Sequence, residues 1–556
     1  RLEGAREARL AVRLGDRFFD DFELDLVVVT PAGDSPEEAG LLFGHRSVFE
    51  RAYTKARVSE ERARGGRRPG GWLPSTLAAL LSPRPAFANS TQILIAHGLV
   101  TQQVGDGADL FFRGTFSGNG RTCGTCHPQE NDQTIDPAFV APLPASDLLF
   151  APNVPGLERP ALLRQEALIL ENVDGLEDPT VKFVMRGVPH SLSMKTSIAP
   201  PVEGGERTGW GGDAGTLNGF PNGAIRQHFT QSLDRIVGTD FRFATQAELD
   251  AMEAFMRASG RLEDILLANA SLSDAAAERG RLLFLSNTAG KCNNCHLNAG
   301  ANANFAGGGN RNVDTGVEDL PHPARTPGDP EFVELFPLDG GFGTQPVDVD
   351  GDGQIDFFGD ETFNISPLIE IADTGPFFHN NVLDTVEEAV DFFNTPEFNN
   401  SPGGIAVGGI SLTPVEVAEI AKFLRVLNAG FNIDIAEQRV SAGIALENQS
   451  PGGFDGRATT DSGEDTNGTR ATVNALLGLA NAESDDAVRV LSTVGLHPTT
   501  VTLIQSAIQK AKDAQLAFGS KERKRLMQSA LADLQKARGE LGTGFDFVVG
   551  EGNLLF

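Results

Sequence analysis

Four cysteines occur in the 556 residues, and two copies of one pattern use all of them: Cys123-Gly-Thr-Cys126-His127 and Cys292-Asn-Asn-Cys295-His296. In Cys-x-x-Cys-His, two thiols can add to the vinyl groups of a haem. The adjoining His, carried round on the first helical turn, then offers a nitrogen to iron. Two other chemistries use paired cysteines. A thioredoxin-type dithiol needs no following His and has no reason to occur twice. A structural zinc site made from two pairs is the other, and the 169 residues from Cys123 to Cys292 far exceed a zinc ribbon's spacing. The expectation is two covalently bound haem c groups, with His127 and His296 as axial ligands. Thioether attachment of this kind takes place outside the cytoplasm, so the protein is expected to be periplasmic or secreted.

The elements that must position these motifs repeat with them. Gly107-Ala-Asp-Leu110-Phe111 precedes the first motif as Gly280-Arg-Leu-Leu283-Phe284 precedes the second, each as the end of an apolar helix. Downstream, Thr245-Gln-Ala-Glu248 opens a segment with Met252, Phe255 and Met256 at helical spacing. Thr413-Pro-Val-Glu416 opens its counterpart with Ile420, Phe423 and Leu424. Thr-x-x-Glu satisfies free backbone donors at a helix start. Cys123 lies 122 residues before Thr245, and Cys292 lies 121 before Thr413. The fold class expected is mainly α: two tandem class I cytochrome c-like domains from an internal duplication, with long loops and a helical C-terminal extension. The expected boundaries are 1–90 for an N-terminal region, 91–270 for the first haem domain, 271–435 for the second and 436–556 for the extension.

Composition narrows the class. Lys and Arg number 46 against 75 Asp and Glu, a net charge of −29, which argues against nucleic acid, whose phosphates need a basic face. No window approaches the roughly 18 apolar residues of a membrane span. Hydrophobic residues at 40% exclude disorder of the whole chain.

The inserted loops between haem and closing helix carry Phe183-Val-Met185-Arg186-Gly187-Val188-Pro189-His190, then Gly209-Trp210 and Ile225-Arg-Gln-His228 in the first half. The second half carries Phe377-Phe378-His379-Asn380 and Thr385-Val-Glu387-Glu388 to Phe393-Asn394. With the two haem motifs, this order resembles the bacterial di-haem cytochrome c peroxidase family and its relatives, the methylamine-utilisation di-haem enzyme and the haem-type rubber oxygenases, over about residues 95–430. The resemblance implies peroxide or oxygen chemistry at the first haem, electron relay by the second, and Trp210 as the Trp between them. It also implies a small redox protein, a cytochrome or copper protein, as electron donor, and a small oxidant as substrate. A donor with a basic docking face suits the net charge.

The same resemblance raises the question of the sixth iron ligands. Family members place Met or Tyr on the second haem, where this chain has Phe393; no Met occurs between Cys292 and Met527, and the only Tyr is Tyr53. His497 is therefore the first choice as ligand and His379 the second, with His322 the remaining His. The family's distal His and Glu are missing, with Thr230 at the Glu position. The duplication aligns His228 with Phe393, making His228 a sixth ligand or a distal acid–base group, and His190 a weaker candidate of the same kind. The catalytic residues expected are thus His228, Trp210 and His190. An oxygenase acting on an apolar substrate and a non-catalytic electron carrier are the alternatives.

Two further segments carry expectations. Asp348, Asp350, Asp352, Gln354 and Asp356 alternate with Gly353 at the turn, as in a calcium loop, although Gly359 stands where the pattern wants Glu. The run from Arg62 to Leu81, followed by Pro85-Ala-Phe-Ala88, has the basic, apolar and small-residue order of a secretion signal. As the chain opens on Arg1, residues 1–88 read as including sequence from an upstream start or a fragment boundary, with a surface helix and linker as the alternative reading of the signal-like run. The basic run Lys521 to Arg525 reads as a solvated helix face.

Overall fold

The computed structural model describes residues 13–14, 17–18, 84–172, 183–200, 204–305, 307–322, 324, 336–343, 346–348, 353, 357–449 and 468–555. The chain divides into two compact units, Arg1–Leu81 and Ser82–Phe556. In the first, β1 (Arg13–Leu14) pairs antiparallel with β2 (Arg17–Phe18). Residues 62–81, with the signal-like run, lie outside the described residues. Pro85–Ala88 fall in the first helix of the second unit, α1 (Arg84–Ala96).

The second unit is mainly helical, and its logic is one crossing used twice. α2 (Gln102–Arg113) runs into the first haem motif and packs on α4 (Gln246–Ala258). α5 (Ala275–Leu285) runs into the second and packs on α7 (Pro414–Gln449). A Cβ on Gly107 would sit 1.9 Å from the Ala251 carbonyl oxygen, and one on Gly280 would sit 1.9 Å from that of Glu419. Glycine is thus required at both crossings because backbone meets backbone there. The aromatic partners repeat as well. Phe111 meets Phe255 at 5.3 Å and 57°, and Phe284 meets Phe423 at 5.4 Å and 58°. The Thr-x-x-Glu boxes close at both helix starts: Thr245 N donates to Glu248 Oε2 at 2.8 Å, and Thr413 N to Glu416 Oε2 at 2.7 Å.

Between motif and closing helix each half inserts loops and a short helix, α3 (Phe220–His228) in the first and α6 (Val386–Phe392) in the second. The first insert also holds a hairpin, β3 (Leu168–Glu171) with β4 (Val184–Gly187). The second holds a sheet in which β8 (Phe357–Asn364) pairs antiparallel with β5 (Asn312–Val313) and β7 (Pro346–Val347), and parallel with β6 (Gly340–Gly341). The acidic loop is the connection from β7 to β8. Of it, Asp348 is described and accepts from Gly353 N at 2.9 Å, whereas Asp350, Asp352, Gln354 and Asp356 lie outside the described residues.

After α7 come α8 (Thr469–Thr493), α9 (Pro498–Leu516) and α10 (Ser520–Leu541). α8 packs on α7 and α9, and α10 packs on α9 and α7. One continuous core joins Phe111 and Phe255 to Phe284 and Phe423, and on to Leu477, Ile504 and Leu534. Lys521, Glu522 and Arg525 of the basic run are exposed and Lys524 is half-buried, but Arg523 is buried, and its guanidinium donates to Glu447 at 2.6 Å. Among the described residues no helix is long and apolar enough to cross a membrane.

Candidate haem sites

Each motif is a single turn wound by its own backbone: His127 N donates to Cys123 O and His296 N to Cys292 O, both at 2.9 Å. Gly124 is needed because a Cβ there would come within 2.6 Å of the Phe112 ring. Beside the second motif, Lys291 Nζ donates to the carbonyls of Val407, Gly408 and Gly409 at 3.1, 3.0 and 2.6 Å, tying that loop to the motif.

The two imidazoles are held alike. His127 Nδ1 lies 2.8 Å from Gln133 O, and His296 Nδ1 lies 2.9 Å from Ser366 O. A carbonyl can only accept, so Nδ1 carries the proton in each ring and Nε2 presents its lone pair. Metal-ligating histidines are oriented in this way. Burial pushes both rings down to about 4, so they are neutral, as ligation requires. Burial pushes the Cys123 and Cys292 thiols up to about 12 and those of Cys126 and Cys295 to about 11. A redox dithiol needs a lowered thiol instead. The residues present therefore fit a haem at each motif.

His228 and His190 both lie within electrostatic reach of His127. His228 ends α3, where Asn119 Nδ2 donates to its carbonyl at 2.9 Å, and desolvation with nearby Arg121 and Arg235 holds its ring down at about 3. His190 is also lowered by burial, with the Glu370 carboxylate raising and Arg261 lowering it. Each ring has a buried Nδ1 without a hydrogen-bond partner among the described residues. Glu171, a residue the sequence reading passed over, also belongs here. It is felt at Cys126, is raised by burial, and pairs with Arg186 at 3.1 Å. Its neighbour Asn172 donates through N to Gln227 Oε1 at 3.2 Å, and Gln227 Nε2 donates to Asn172 O at 2.6 Å, which fastens the end of β3 to α3. The sequence held no periodic signal for it, because a strand end and a helix end meet only in the fold.

Trp210 stands at the seam of the two halves. Its Nε1 donates to Gly187 O at 2.7 Å, Gly187 N donates to His379 O at 2.6 Å, and its ring meets His379 edge-on at 6.5 Å. His379 is buried and stacked on Phe363 at 3.7 Å, with Nε2 2.6 Å from Glu318 Oε1. His322 uses both nitrogens, donating through Nε2 to Asn380 O at 2.8 Å and accepting at Nδ1 from Ala324 N at 3.0 Å. His497 stands at the position just before α9, near Asp274 and Glu540, and its side chain makes no capping hydrogen bond. Asp274 caps the start of α5, about 15 Å along the helix from the end that runs into Cys292. The structure thus brings Trp210, His379 and Glu318 together, and His127 with His190 and His228. It sets His497 by the remote end of α5.

No family model and no curated protein matches the chain. Among solved structures it is similar to the diheme peroxidase BthA from Burkholderia thailandensis E264, at 18% identity over 59% of this chain and 86% of that one, with a TM-score of 0.33. A variant of that peroxidase gives 16% identity, 58% and 85% coverage and a TM-score of 0.34. Hydrazine synthase from Kuenenia stuttgartiensis gives 17%, 58% and 87%, and 0.30. Likenesses this weak carry no weight for fold or function.

Proposed function

We propose that the chain is an exported di-haem c-type oxidoreductase, peroxidase-like, built from two cytochrome c-like halves. The observation that carries this is the matched pair of motif histidines, each with Nδ1 spent on a backbone carbonyl and each beside the same glycine-mediated helix crossing. When bound, the haems supply the redox chemistry: reduction of hydrogen peroxide or another small oxidant at the first, and electron supply at the second.

The chain's own residues do the rest. Cys123 and Cys126, then Cys292 and Cys295, fix the two groups, and His127 and His296 orient them. Trp210, pinned through Nε1, bridges the seam as electron relay. His228 and His190 are neutral bases within reach of the first site and take up and return protons there. A small redox protein is the donor. The second reading is a non-catalytic carrier in which His228 is a ligand, favoured by its buried Nδ1 without a partner. Electron paramagnetic resonance and optical spectra of the isolated protein separate the two. A high-spin ferric signal and a peroxide-sensitive Soret band support the enzyme; two low-spin haems that stay so on reduction overturn it.

A further inference from the structure

The relay reading leaves one property of Trp210 unaccounted for. Its indole N–H donates to a peptide carbonyl, Gly187 O, which cannot take up a proton. When Trp210 gives up one electron to an oxidised centre, the Nε1 proton therefore stays. No bond forms or breaks, and the ring holds a positive charge until an electron from the donor side restores it. In a partly buried site such a charge needs an opposing one.

The His379 side supplies it. Glu318 accepts from His379 Nε2 at 2.6 Å, from Asn380 Nδ2 at 3.1 Å and, at Oε2, from Asp339 N at 3.1 Å. Three donors to one carboxylate favour its ionised form. His379 Nδ1 has no hydrogen-bond partner among the described residues, while Nε2 donates to Glu318, which places the carboxylate directly behind the imidazole that meets the Trp210 ring. Among the described residues, Arg186, which precedes Gly187, is matched by Asp339 at 2.6 Å and by Glu171. Glu318 also lines a cleft of about 420 Å³ with Asp314, Asp319, Glu361 and Glu397, which adds to the negative field. In that cleft Asp314 and Glu361 are raised by burial above all, with neighbouring carboxylates raising both further. The sheet that carries this acidity is fastened to the Trp itself, since Asn364 N of β8 donates to Trp210 O at 2.8 Å.

We propose that Glu318, acting through His379, is a positioning residue that stabilises the one-electron-oxidised indole of Trp210. This rests on the relay reading and adds to it the group that makes the relay oxidisable. The test is flash photo-oxidation of the holoprotein with a ruthenium tris-bipyridine oxidant, reading the tryptophan cation-radical signal by transient absorption and electron paramagnetic resonance. The Trp210 share is the part lost in Trp210→Phe. Glu318→Gln is expected to lower that share about tenfold, the effect of one unit charge across a partly buried site. Glu318→Asp should restore most of it, and the double variant should show no more loss than Trp210→Phe alone. An unchanged signal in Glu318→Gln, or a further loss in the Trp210→Phe background, overturns the inference while leaving the relay intact. If Trp210→Phe removes no signal from the parent protein, the relay reading falls, and this inference falls with it.

Discussion

At His127 and His296 one hydrogen bond decides which ring nitrogen is left with a free lone pair, and that bond is to a carbonyl supplied from 6 residues away in one case and 70 in the other. The spacing of Cys-x-x-Cys-His marks where a haem would attach; the tautomer is a property of the fold. At the first site, His228 ends α3 and Glu171 ends β3, and these two ends are fastened where Asn172 and Gln227 exchange hydrogen bonds. If His228 is the proton-transfer base, His228→Gln leaves the spin state of both haems unchanged and slows the peroxide-induced Soret shift by about a hundredfold in stopped flow. A switch from low to high spin would make it a ligand instead. His497 precedes α9 near Asp274 and Glu540, by the end of α5 remote from Cys292. His497→Ala is expected to leave the low-spin signals as they are, and loss of one would assign it to iron.

The element scale is where the sequence was most legible. The Gly, Phe and Thr-x-x-Glu correspondences around the two motifs each turn out to be a contact: Gly107 on Ala251 and Gly280 on Glu419, Phe111 on Phe255 and Phe284 on Phe423. These are local patterns with one physical cause apiece, which is why they can be seen in one dimension. The Trp210, His379 and Glu318 grouping was not legible, because it spans 169 residues and both halves. Ligand assignment by elimination pointed to His497 for the same reason: counting residue types carries no distances. At the crossings, Gly107→Ala and Gly280→Ala are each expected to cost about 2 kcal/mol, since the added methyl meets a carbonyl that cannot move freely. Gly539 in α10 has open space around its Cβ position, and Gly539→Ala should stabilise by about 1 kcal/mol. Thermal unfolding of the three variants checks the contrast.

Across the whole molecule, the C-terminal helices are tied to the haem loops by a buried group of acids. Asp132 follows the first motif, Asp373 belongs to the second half, and Glu483 and Asp486 lie on α8, facing Arg439 and Arg489. Asn428 and Asn432 of α7 both donate to Asp373 Oδ2, at 2.5 and 2.7 Å. Burial raises Asp132 well above the carboxylate range, Glu483 to about 7 and Asp486 to about 6. Folded values above unfolded ones mean that folding takes up protons. The contribution is complete below about pH 4 and is lost as pH rises through about 6 to 7. The unfolding midpoint should therefore fall by several degrees between about pH 5 and pH 8, and Glu483→Gln should flatten the fall. A midpoint that rises over that range would contradict the arrangement.

The proposed oxidoreductase requires two haems held through thioethers at the two motifs. The direct measurement is intact-protein mass spectrometry after acid–acetone extraction, on protein made with an exported c-type maturation system. The expected result is a mass increase of two haems that extraction leaves in place, falling to one haem in Cys123→Ala/Cys126→Ala and to one in Cys292→Ala/Cys295→Ala. Haem that extracts freely, or a chain that carries zinc and no haem, would contradict it.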